Sequence, residues 1–114
     1  MGSNVWVKSG HVRNLFTGSG VTITGAGSFV YKDSPNATFQ ATVSGTGAVT
    51  ATVTIEYSND GTNVIGTVGG TITLSGTTSA TDGFTSQNAP WKYVRANVTA
   101  ISGTGSTVQV YMGV

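Results

Sequence analysis

Thr50, Thr52 and Thr54 alternate with Ala51, Val53 and Ile55 in the run TATVTIEYSNDGTN, which then reaches Asn59, Asp60 and Gly61. A strict period of two puts one set of side chains on each face of an extended strand, which excludes a helix for this stretch. One face is apolar, as a buried face must be. The other is hydroxyl, where a solvated sheet ordinarily carries charge. The same alternation recurs along most of the chain. Apolar residues nowhere recur at three- and four-residue spacing with capping residues. Thr and Val dominate, and both suit a pleated, half-buried surface.

The strand candidates in order are NVWVKS, HVRNLF, GVTIT, SFVYK, ATFQATVS, AVTATVTIEYS, TNVIGTV, TITLS, WKYVRANVTAIS and STVQVYM. Val53, Ile55, Val94, Val98, Val108 and Val110 are expected in the core. Ala100 is expected on the same face as Val94, Ala96 and Val98, and the pair Ile72 and Leu74 also reads as inward. SGTGAV and SGTGST are nearly the same segment and read as tight hairpin turns, as does Gly25-Ala26-Gly27. SNDGTN reads as a hairpin loop with Gly61 left-handed. Residues 75–90 read as one long irregular loop and a candidate partner contact. Eight to ten short strands joined by Gly turns predict an all-β fold. The expected form is an antiparallel two-sheet β-sandwich, jelly-roll-like, with an up-and-down barrel as the alternative. The chain of 114 residues divides into an N-terminal segment, 1–19, read as an interaction arm, and a single β-sandwich domain, 20–114.

Only 8% of residues are charged, against roughly a quarter in an average globular protein. The net charge of +1 supplies no field for nucleic acid or an anionic membrane. Lys92 and Arg95 in WKYVR are three apart and point to opposite faces of a strand, which makes no basic stripe. With no cysteine, disulfides and thiolate metal sites are excluded. No run approaches the roughly 20 apolar residues of a membrane helix. The opening MGSNVWVKSG has no apolar h-region, so no secretory signal is expected there. The sequons at Asn36 and Asn97 are then read as chance matches.

No constellation for catalysis stands out, and no enzyme is expected. His11 is the one histidine, and no orienting carboxylate or nucleophile is evident beside it. Asp33, Glu56, Asp60 and Asp82 form no visible facing pair. Asn59, Asp60, Asn63 and Asp82 carry the oxygens a calcium site uses, but turn Asn and Asp also bond their own backbone. No cofactor is expected. The remaining features are aromatic. Trp6 admits a core and an interface reading, and Trp91 suits the core of its strand. The residues singled out for partner contact are Val5, Trp6, Val7, Phe16, Phe84 and Trp91. A hydroxyl-coated sheet with three lysines lacks the charge that protects the edges of monomers. Coverage by neighbouring subunits is expected.

GAVTATVTIEYSNDGTN, the SGTT…DGF stretch and APWKYVRANVTAISGTGSTVQVYMG, spanning residues 47–113, resemble small structural proteins of tailed bacteriophages. The nearest type is the capsid cement or decoration protein. The resemblance implies a β-sandwich or jelly roll, often a homotrimer. Such a protein sits on the virion surface, is made in the host cytoplasm, and binds the major capsid protein at capsomer junctions. The run YSNDGTN…KYVRANVT is also similar to discoidin-like and carbohydrate-binding jelly rolls, which implies a glycan-binding module of a tail or fibre. Many of those carry a Trp after the turn, where this chain has Val64.

Overall fold

A computed structural model describes residues 10–16 and 20–114, together with the backbone of Trp6 and Val7. The described residues contain strands and irregular segments and no helix. Three long strands dominate: β5 (Ala37–Ser58), β6 (Gly66–Ser86) and β7 (Tyr93–Gly113). Four short ones precede them: β1 (Trp6–Val7), β2 (Val12–Asn14), β3 (Gly25–Ala26) and β4 (Val30–Lys32). All belong to one sheet in the order β1-β4-β7-β5-β6, with β2 and β3 also laid against β7. Every pairing is antiparallel except that of β1 with β4.

Alternation places the core as expected. Phe39, Ala41, Val43, Val49, Ala51, Val53 and Ile55 of β5 are buried. So are Ile72 and Leu74 of β6, and Val94, Ala96, Val98, Val108, Val110 and Met112 of β7. Ala100 differs, being exposed. Val98 pairs with Val53 and Ala100 with Thr52, so Thr99 is an extra residue and reverses the phase of the strand. Ile101 then takes the inward position opposite Ala51.

The number of strands differs from expectation because Gly-rich segments bend strands rather than end them. SGTGAV and SGTGST are not hairpin turns: they lie within β5 and β7. There the ladders shift register between Ser44 and Ala48 on one side of β5, and between Ser44 and Thr50 on the other. Thr78, with φ of 66°, is the matching irregularity in β6. A straight strand of 22 residues would span roughly 70 Å, yet the longest dimension of the molecule is 39 Å. Each long strand therefore bends, and the halves on either side feed one core.

Residues 75–86 likewise continue β6 instead of forming a loop, because all but Thr78 find a partner along β5, up to Ser86 opposite Ala37. The irregular stretch is confined to 87–92. GVTIT forms no strand: Val21 makes a single bridge to Val108, and Ile23 is exposed. Gly25-Ala26 is a short strand against Val98 and Asn97 rather than a turn. The β5–β6 hairpin is as expected, with Gly61 at φ 73°. Residues 12–14 join the same sheet, and Leu15 and Phe16, which follow them, are buried in its core.

Candidate interaction surface

The outward face of the long strands is built from hydroxyls in register. Thr52 lies opposite Thr73, and Thr50 opposite both Ser75 and Ser102. Thr42 Oγ1 and Thr81 Oγ1 are 2.9 Å apart, and Thr50 Oγ1 and Ser102 Oγ 3.0 Å. Cross-strand hydroxyl pairs of this kind stabilise a sheet by a few tenths of a kcal/mol to about 1 kcal/mol each. They also leave the surface with hydrogen-bonding capacity and little net field.

The few charges on this face are neutralised locally. Arg95 Nε donates to Glu56 Oε1 at 2.6 Å, and Asn97 Nδ2 donates to Glu56 Oε2 at 3.1 Å. The Arg95 guanidinium also lies 4.7 Å from the centre of the buried Phe29 ring. Glu56, Arg95 and Asn97 are brought together by the ladder, which sets Glu56 opposite Arg95 and Thr54 opposite Asn97. The sequence shows no such pair, since the two charges lie 39 positions apart.

β6 is the terminal strand and pairs only with β5 among the described residues. Its outer edge therefore presents unpaired backbone donors and acceptors. Over 21 residues it carries a single charged side chain, Asp82, and no Lys, Arg or Pro. All five basic residues, Lys8, Arg13, Lys32, Lys92 and Arg95, lie elsewhere. Edges of monomeric sheets are ordinarily blunted by Lys, Pro, bulges or cover. The opposite side of the sheet is covered, by β2, β3 and β4 along β7 and by β1 along β4.

Among the described residues one cation is interior. Lys32 is fully buried beneath Trp91, with Nζ 4.1 Å from the ring centre. Nζ donates to the Ser34 carbonyl at 2.6 Å and the Ala89 carbonyl at 3.0 Å. Trp91 in turn stacks on Tyr57 at 5.5 Å. Burial, assisted by the nearby charge of Lys92, lowers the Lys32 pKa to about 8. The role is architectural: Lys32 and its backbone bond to Lys92 tie β4 to the 87–92 connector. Alternation did carry a signal for this, because Lys32 shares parity with the buried Val30.

The hairpin loop is closed by its own side chains. Ser58 is fully buried, donates to Asp60 Oδ1 at 2.8 Å, and accepts from the N–H groups of Asp60 and Gly61. Asp60 also accepts from the N–H groups of Thr62 and Asn63 and from Asn63 Nδ2. The bonds from Asn63, then those from Thr62 and Ser58, hold its carboxyl well below the usual carboxylate range. Asp82 lies opposite Ala41 and bonds the N–H of Gly83, so it does not join Asp60 and Asn63. Among the described residues no three His, Cys, Asp or Glu side chains are placed to hold a metal ion. His11 is exposed, and its carbonyl accepts from the Val114 N–H.

The residues singled out for partner contact are not gathered into one patch. Val5 and the side chains of Trp6 and Val7 lie outside the described residues. Phe16 is buried. Phe84 is half-buried against Phe39, with ring centres 5.3 Å apart. Trp91 is enclosed by Lys32 and Tyr57. The surface that stands open is one that residue-by-residue inspection missed, the edge of β6. Its signal was present in the absence of basic residues and proline from 66–86, but half of that span reads as a loop. Searches of protein families, curated proteins and solved structures return no match to this chain.

Proposed function

We propose that this chain is a non-enzymatic structural protein of a phage virion, a capsid cement or decoration protein that binds the major capsid protein at capsomer junctions. The observation that carries the reading is the charge-poor, hydroxyl-lined sheet ending in a 21-residue edge without a basic residue or proline. A surface of that kind is a liability in a free monomer and an asset where neighbours cover it. Many copies, each adding a modest contact, sum to a large stabilisation of a shell. In this reading the fold is a β-sandwich whose layers are the two halves of one bent sheet. The bend line through 44–48, 78 and 102–107 and the single core fed from both sides support that description.

The glycan-binding alternative has less behind it. A sugar platform needs an open aromatic face, and the Trp91 ring is enclosed by Lys32 and Tyr57. The test is co-sedimentation of the purified chain with capsids lacking it, followed by heating of the decorated and bare shells. Saturable binding with a raised disruption temperature is expected. Binding to tail fibres alone, or to a glycan array but not to shells, would remove the capsid assignment.

A further inference from the structure

We propose that the segment Gly70–Gly76 of β6 pairs with the same segment of a second copy, antiparallel, about a two-fold axis through Thr73. The residues run Gly70, Thr71, Ile72, Thr73, Leu74, Ser75, Gly76, which is a chemical palindrome. Antiparallel pairing about Thr73 sets Gly70 against Gly76, Thr71 against Ser75 and Ile72 against Leu74. Thr73 meets Thr73 of the copy. Hydroxyl faces hydroxyl and branched apolar faces branched apolar at each step, which is the condition for favourable cross-strand pairs.

Ile72 to Ser75 already accept this pattern on their other edge. Within the chain Thr50 meets Ser75, Ala51 meets Leu74, Thr52 meets Thr73 and Val53 meets Ile72. A second copy repeats that arrangement and extends both the hydroxyl face and the apolar face across the axis. Residues 72–76 are also the straight part of β6, which Thr78 bounds on one side; on the other, Gly69, at φ 62°, Gly70 and Thr71 fall in the register shift opposite Thr54 and pair with no residue of β5. Thr71, Thr73 and Ser75 are exposed, while Ile72 and Leu74 are buried. Asp82, the one charge of the strand, lies outside the paired stretch, so two copies do not set like charges face to face.

A foreign strand is a poorer fit. Selecting one partner among many needs charge or shape that rejects the others, and this edge has no charge within the paired stretch. The palindrome provides its own complement. An isologous contact follows from symmetry, because each residue of the pair sees the same surroundings in both copies. The result is a dimer with a continuous sheet, in place of the three-fold assembly that the phage resemblance implies. The pairing rests on the same open edge as the capsid assignment, but its test uses purified protein alone, so the failure of one is distinguishable from the failure of the other. A single short ladder is at the small end of specific interfaces, so the pair should be concentration-dependent, forming in the micromolar range or above.

Sedimentation velocity over a concentration series of the purified chain tests this, with Thr73→Lys as the perturbation. Thr73 is exposed, so the change leaves the fold intact by circular dichroism, but it places two ammonium groups across the axis. Pairing should weaken by roughly tenfold or more. Gln40→Lys, at an exposed site on the interior strand β5, adds the same charge and should leave the pair unchanged. The chain has no cysteine, so Thr73→Cys provides an unambiguous probe. Oxidation, or a short bis-maleimide, should give a covalent dimer far faster than with Thr85→Cys on the same strand. A monomer throughout the series overturns the proposal. So does a trimer, a dimer indifferent to Thr73→Lys, an equal loss with Gln40→Lys, or equal cross-linking at Thr85.

Discussion

Gly103 and Gly105 sit two residues apart in the bend of β7, and replacing each by Ala separates the cost of the bend from that of glycine removal in general. At Gly103 the backbone has φ of 116°. An added Cβ would lie 2.7 Å from the Ala48 carbonyl oxygen and 3.0 Å from Val49 Cγ1. The dihedral alone costs about 1–3 kcal/mol for an L-residue, and the overlap with fixed backbone and a buried methyl adds about 1–3 kcal/mol. Reduced freedom of the unfolded chain returns about 0.4–1 kcal/mol. The net loss for Gly103→Ala is therefore about 1–6 kcal/mol, centred on about 3 kcal/mol. Gly105 has φ of 63° and open space where the Cβ would go. There the left-handed conformation costs Ala about 1–2 kcal/mol, partly offset by the same unfolded-state gain, for a net loss within about 1 kcal/mol. An unfolding entropy of about 2.1 cal/mol/K per residue makes each kcal/mol worth about 4 °C in a chain of this length. A gap of roughly 10 °C between the two variants follows from the same relation. Thermal melts by far-UV circular dichroism, with urea melts by tryptophan fluorescence, measure it. Equal melting temperatures, or a more stable Gly103→Ala, would refute the account of the bend as a sterically locked fold in the strand.

Four further outcomes are expected. Lys32 has a pKa of about 8 in the folded chain, against 10.5 without burial. The unfolded state therefore binds more protons between those values, and stability should rise with pH from about 8 upward, a slope that Lys32→Met abolishes in urea melts. Glu56→Gln removes the charge from a mostly buried pair with Arg95 and should cost about 1–2 kcal/mol, with a double-mutant cycle against Arg95→Met showing the coupling. Ser58→Ala strands the N–H groups of Asp60 and Gly61 and should cost about 1–3 kcal/mol. The carboxyl of Asp60 is held low, so its contribution is fully present above the ordinary carboxylate range and is lost as pH falls from that range toward the lower value of the folded chain; Asp60→Asn should flatten the acid limb of the stability profile.

Inward and outward faces were legible in the chain itself. Phe39, Ala41 and Val43, then Val49 to Ile55, point inward because successive side chains in any extended strand alternate, whatever it pairs with. The SNDGTN hairpin was equally legible, since Ser58, Asp60 and Asn63 close it with bonds that span three residues or fewer. What SGTGAV and SGTGST do was decided elsewhere. A glycine at positive φ serves a hairpin turn or a strand bend equally well, and only pairing of both flanks with the same neighbours selects the bend. Residues 75–86 are strand for the same reason: β5 offers them partners that a local reading of Ser, Gly, Thr and Asp does not anticipate. Which strand would be left at the edge is a property of sheet order, and so the open palindrome of β6 belongs to the tertiary structure, although every residue in it was in plain view.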